Sequence, residues 1–196
     1  MCQLLETIRL EDGVLQQLSY HQARMKAAQK ALFPGKTFSI TPSLVKNAPT
    51  TGLFKCRIIY DKQIRQVEYL PYHIPQIRSL KMVSDDSIDY SHKYVDRTPL
   101  NQLFQQRANA DDILIVKNGL VSDTSFCNIL FYNNKQWLTP SLPLLKGTQR
   151  QYLLEKEIIQ TADIRPQDIQ HFSKIRLVNA MIRFEDKLDL IPSSIF

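Results

Sequence analysis

KYVDRTPLNQLFQQRANADDILIVKNGLVSDTSFCNILF, residues 93–131, holds the pattern that decides the fold. Thr98 followed by Pro99 has the cap-then-proline order of a helix start, and Leu100, Leu103 and Phe104 lay an apolar stripe on the turns that follow. This helix is expected to end near Asn109. ILIVK at 113–117 and NILFY at 128–132 then read as strands, separated by the Asn118-Gly119 turn dipeptide and the polar VSDTS. WLT at 137–139 reads as a further strand. Downstream, a helix is expected from about Gln149 to Thr161 and a closing strand over Ile175–Ile182. A helix, a run of strands, a helix and a strand make an α+β lobe rather than a regular βαβ series.

Upstream, Leu4 to Leu18 carries apolar stretches on either side of Asp12-Gly13, the pattern of an antiparallel hairpin. Ser19 with Gln22 has capping-box spacing, and a helix is expected from Tyr20 to Phe33, ended by Pro34-Gly35. Leu53–Tyr60 and Gln63–Leu70 read as two more strands turning at Asp61-Lys62. SDDSIDYS, residues 84–91, loses hydrophobicity sharply and reads as an exposed connection. The expected organisation is therefore a smaller N-terminal α+β lobe over 1–85 and a C-terminal α+β lobe over 90–196, each a mixed sheet with helices.

Composition narrows the function classes. The 196 residues include five glycines, where average usage predicts about 14, and their positions (13, 35, 52, 119 and 147) write neither G-x-G-x-x-G nor the G-x-x-x-x-G-K phosphate loop. A 43% hydrophobic and 22% charged chain is an ordinary globular protein with a real core. Three cysteines without C-x-x-C spacing suggest cytosolic thiols, neither a disulfide framework nor a zinc knuckle. No membrane segment is expected: the opening MCQLLETIRLEDG is acidic where a signal peptide is basic, and no run approaches 18 apolar residues. A cytoplasmic protein is expected. The net charge of +6 comes from scattered Lys and Arg, which favours solubility or a small anionic ligand over nucleic acid.

Few residues carry candidate chemistry. On the Tyr20–Phe33 helix, positions 20, 24, 27, 28 and 31 share a face, so Arg24 interrupts a stripe of alanines. A guanidinium keeps its charge, so a buried Arg24 needs an anion beside it, either a phosphate or an internal carboxylate. Gly147 and Thr148 precede a predicted helix whose first-turn N–H groups would attract phosphate, or they are an ordinary turn and N-cap. His21, His73, His92 and His171 make no metal spacing, and no G-x-S-x-G elbow occurs. Asp85, Asp86 and Asp89 read as a solvated face, whereas Asp123 lies between two apolar strands. Lys93, between the expected lobes, has the chemistry for a Schiff base if partly desolvated.

In this order the features resemble the fold-type IV pyridoxal-phosphate (PLP) enzymes, the class IV aminotransferases. LLETIRLEDG with YHQARM resembles the family's opening hairpin and helix, residues 93–131 its central block, LTPSLPLLKGTQR its phosphate-binding helix start, and IRLVNAMI its closing strand. The resemblance implies a D-amino-acid aminotransferase-like fold, a PLP cofactor in the cleft between the lobes, a small anionic substrate with an amino group, and a homodimer. It implies that Lys93 condenses with the cofactor aldehyde and is the catalytic base and acid. It further implies that Arg24, the Thr148 and Gln149 backbone and the Asn179-Ala180 turn bind the cofactor phosphate. Asp123 falls where the family has a glutamate facing the pyridine nitrogen. Within the family the ETIR opening and NAM closing strand favour 4-amino-4-deoxychorismate lyase, a step of folate synthesis, with a D-amino-acid or branched-chain aminotransferase as the alternative. A non-catalytic PLP-binding or basic RNA-binding protein is the reading of another class.

Overall fold

The computed structural model describes residues 2–35, 37–41 and 46–196. The chain forms two compact units. The first runs to Ile74 and takes in His92–Asp96; the second comprises Pro75–Ser91 and Arg97–Phe196.

In the first unit, β1 (Leu4–Glu11) and β2 (Val14–Leu15) form the expected hairpin. Asp12 and Gly13 both take positive φ, 47° and 81°, the conformation that a tight two-residue hairpin turn demands. The antiparallel sheet has the order β2-β1-β3-β4, with β3 at Leu53–Tyr60 and β4 at Ile64–Pro71. Along β3, Cys56, Ile58 and Tyr60 alternate into the core, the period of two that pleating imposes. Helix α1 (Leu18–Leu32) packs its buried His21, Met25, Ala28 and Gln29 toward the same core. That stripe is rotated from the expected one: Ala27 and Ala31 are exposed and Arg24 lies at the margin. The Ser19 capping box does not form, because Gln17 is the N-cap, with no side-chain capping bond, and the Gln22 amide donates to the Ile40 carbonyl instead.

The second unit opens with β5 (Leu80–Ser84), a strand that the sequence pattern does not announce. SDDSIDYS is more than an exposed connection. Ile88 and Tyr90 are buried, and Asp85 and Asp86 fold the segment by accepting bonds from Ser87, Ile88 and Asn118 backbone N–H groups. Helix α2 spans Thr98–Phe104 with Arg97 as its N-cap, one residue before the expected cap, and it tightens into a 3-10 turn over Gln105–Arg107. Strands β6 (Asp112–Lys117), β7 (Leu120–Thr124), β8 (Asn128–Tyr132) and β9 (Trp137–Pro140) follow. Helix α3 covers only Thr148–Glu155. It stops short of the expected Thr161 because the chain takes positive φ at Glu157 and enters β10 (Ile159–Ala162), parallel to β9.

The final strands are β11 (Lys174–Val178), which ends four residues before the expected Ile182, and β12 (Asp189–Leu190). The sheet path is β10-β9-β8-β7-β6-β5, with β11 also pairing to β8 and β12 to β11. Strands β6 and β8 are buried almost throughout, as strands enclosed on both faces must be.

Candidate active site

The predicted site residues fall into two groups, one in each unit. In the first unit the organising group is Glu6, on β1 and fully buried. Arg24 on α1 grips it with a fork, Nε donating to Oε1 at 3.0 Å and Nη2 to Oε2 at 2.6 Å. His21, one helical turn earlier, lies with Nδ1 2.6 Å from the same Oε2. Burial alone would raise the Glu6 pKa, but the Arg24 charge and the bonds from His21 and Arg24 outweigh it and hold the carboxyl at about 2. Ionised Glu6 can only accept, so His21 Nδ1 carries the proton. Burial lowers the His21 pKa against the opposing pull of Glu6, with Arg24 and Lys93 lowering it further, so the ring is neutral at pH 7.

Lys93 is brought to the same strand by backbone pairing. Leu5 N–H donates to the Lys93 carbonyl at 2.8 Å, Leu4 pairs with Tyr94, and Val95 N–H donates to the Gln3 carbonyl at 2.9 Å. The lysine is half-buried, and its charge reaches His21. Arg24, with 16% of its side chain exposed, thus has an internal carboxylate as its anion. Glu6 engages two of the five guanidinium N–H donors.

In the second unit, the β7–β8 hairpin sets Asp123 directly opposite Asn128. Asn128 Nδ2 donates to Asp123 Oδ1 at 2.8 Å and to the Leu145 carbonyl at 3.0 Å, while Leu145 N–H donates to Asp123 Oδ2 at 3.0 Å. Burial pushes the Asp123 carboxyl up to about 6, opposed by the Leu145 and Asn128 bonds and the charge of Arg150. Just beyond Leu145, Gly147 caps α3 with extended backbone and an ordinary negative φ of −64°. Its glycine identity is steric: a Cβ there would lie 2.0 Å from Asn128 Oδ1. Thr148 and Gln149 are buried in the first turn of α3. The same hairpin tip holds Asn179, whose Nδ2 donates to the Phe126 carbonyl and Cys127 Sγ while its Oδ1 accepts from Met181 and Ile182 N–H groups. Ala180 is half-buried within that turn. Asp123, Gly147, Thr148 and Asn179 are therefore drawn together through a single hairpin.

A model of the family described as amino-transferase class IV matches residues 3–184. The chain belongs to the class IV aminotransferase family. An uncharacterised Haemophilus influenzae protein is 38% identical, over 92% of this chain and 98% of its own. A crystal structure from Haemophilus somnus, provisionally described as a 4-amino-4-deoxychorismate lyase, is 37% identical with a TM-score of 0.88, covering 94% of this chain and 98% of that one. A Schizosaccharomyces pombe protein provisionally named aminodeoxychorismate lyase is 28% identical, over 90% of this chain and 85% of its own.

This class IV family member is a PLP-dependent enzyme, and its donor set suits that cofactor. A buried carboxyl suits a pyridine nitrogen, a partly exposed guanidinium suits a phosphate, and a half-buried lysine amine suits an aldehyde. Glu6, His21 and Asn128 escape a reading of the sequence. The available signals are the His21–Arg24 spacing of one helical turn, an acidic residue directly after Leu4-Leu5 in LLETIRLE, and an asparagine opening an otherwise apolar strand. Among the described residues there is no group of three or more side chains suited to a metal, and no helix is long and apolar enough to cross a membrane.

Proposed function

We propose that this enzyme is a 4-amino-4-deoxychorismate lyase that releases 4-aminobenzoate and pyruvate. The observation that carries this reading is its match, at 37% identity and nearly full coverage of both chains, to the Haemophilus somnus structure so described. The atoms of the two products sum to the substrate, so the reaction needs no amino-group acceptor. Bound PLP supplies an electron sink for the carbanion that bond cleavage generates.

The chain's own residues do the rest. Lys93 would hold the cofactor aldehyde through its Nζ and, once released from it, would move protons at that atom as general acid and base. Arg24, oriented by the Glu6 fork, would bind the cofactor phosphate, a role the resemblance also gives to the Thr148 and Gln149 backbone and the Asn179-Ala180 turn. Asp123 would hold the pyridine nitrogen; its carboxyl is fixed on both oxygens by Asn128 and Leu145, so little reorganisation would be needed on binding. The same reading makes the enzyme a cytoplasmic homodimer, for which sedimentation should return twice the 22.8 kDa chain mass.

The test is a steady-state assay with 4-amino-4-deoxychorismate and PLP. Pyruvate release without any keto acid supports the lyase, and strict dependence on a keto-acid acceptor replaces it with an aminotransferase. Lys93→Ala should lower turnover by about 10²–10⁴-fold or more.

A further inference from the structure

We propose that Asn128 is a positioning residue that locks Asp123 and the loop entering α3 into one piece. The inference rests on the reading above, in which Asp123 faces the cofactor ring and the start of α3 meets its phosphate. A single side-chain amide makes both connections, one N–H to Asp123 Oδ1 at 2.8 Å and the other to the Leu145 carbonyl at 3.0 Å. Leu145 closes the ring of bonds by donating its own N–H to Asp123 Oδ2.

The third contact is steric. Asn128 Oδ1 occupies the place where a side chain of residue 147 would begin, 2.0 Å from an ideal Cβ, so the loop closes on the amide only because Gly147 has none. Asn128 is itself fixed, since it sits in β8 opposite Asp123 and within the β8–β11 pairing. A shift of the α3 start therefore moves Asp123, and a shift of Asp123 moves the α3 start. The amide is neutral. It orients the carboxylate without supplying a charge that would compete with a pyridinium.

PLP binding to the full-length chain separates the outcomes. In wild-type protein without cofactor, the Asn128 side-chain amide and the Leu145 backbone amide should shift together in a nuclear magnetic resonance pH titration as Asp123 ionises. If neither moves, the proposal is overturned. Asn128→Ala and Asn128→Ser should each raise the PLP dissociation constant about tenfold, the scale of one lost bond to a charged group. They should also displace the pH profile of the bound cofactor's visible absorbance. A purely structural role would lower the melting temperature and leave that pH profile in place, which also overturns the proposal. Asp123→Asn is the reference. If it leaves PLP affinity and spectrum unchanged, Asp123 does not face the ring, and the site reading falls along with this inference. If it changes both while the Asn128 variants bind within twofold of wild type, only the role of Asn128 falls.

Discussion

Glu6 and Asp123 are both carboxylates buried on strands, yet their environments drive them in opposite directions. Glu6 faces a guanidinium, and Asp123 faces neutral amides. The consequence for stability has opposite signs. Glu6, lowered from 4.5 to about 2, contributes stability that is complete above pH 4.5 and is lost as pH falls toward 2. Asp123, raised from 3.8 to about 6, binds its proton more tightly in the folded state, so stability declines as pH rises from about 4 to 6 and stays lower above it. Denaturant titrations of the cofactor-free protein should show both windows. Asp123→Asn should remove the upper one and Glu6→Gln the lower one. Asp123 is legible in the sequence because four polar residues between two apolar runs are conspicuous. Glu6 is not, because its partners lie 15 and 18 residues away on a helix, and an acid within a strand reads as solvent-facing.

At the scale of elements, two glycines show different physics. Gly119 turns β6 into β7 with φ at +74° and open space, out to 4 Å, around the point where a methyl group would be added, whereas Gly147 has ordinary backbone and no room. Gly119→Ala should destabilise by about 1 kcal/mol through backbone strain alone, and Gly147→Ala by about 1–3 kcal/mol through overpacking. Asn128→Ala should relieve part of the Gly147→Ala penalty and none of the Gly119→Ala penalty in a double-mutant cycle read by denaturant midpoints. The Asn118-Gly119 turn is readable from dipeptide chemistry. The clash behind Gly147 is not, because it depends on a residue in another strand. The same locality explains the helix ends. From sequence α3 reads too long because LLEKEIIQT has no proline or glycine to stop it, and the decision is made by β9 offering Ile159–Ala162 a parallel partner.

At the scale of the molecule, the two α+β sheets follow from composition and turn spacing. The allocation of residues 75–96 does not, since short segments are assigned by what they pair with. Pro75–Ser91 contributes β5 to the second unit, and His92–Asp96 returns to the first along the start of β1. Val95→Pro would remove the N–H that bonds the Gln3 carbonyl. Its expected effect is faster amide hydrogen exchange at Leu4 and Leu5, with the amides of β6 and β8 unchanged.

That return carries a genetic consequence. Because the chain crosses from one unit to the other at Ile74, Ser91 and Asp96, no single junction separates them. A crossover between two relatives anywhere in 75–91 would join one parent's β1 to the other parent's Lys93 segment. Such a crossover would part the lysine from the strand that seats it, so Gln3–Glu6 and His92–Asp96 must come from one parent for that pairing to be kept.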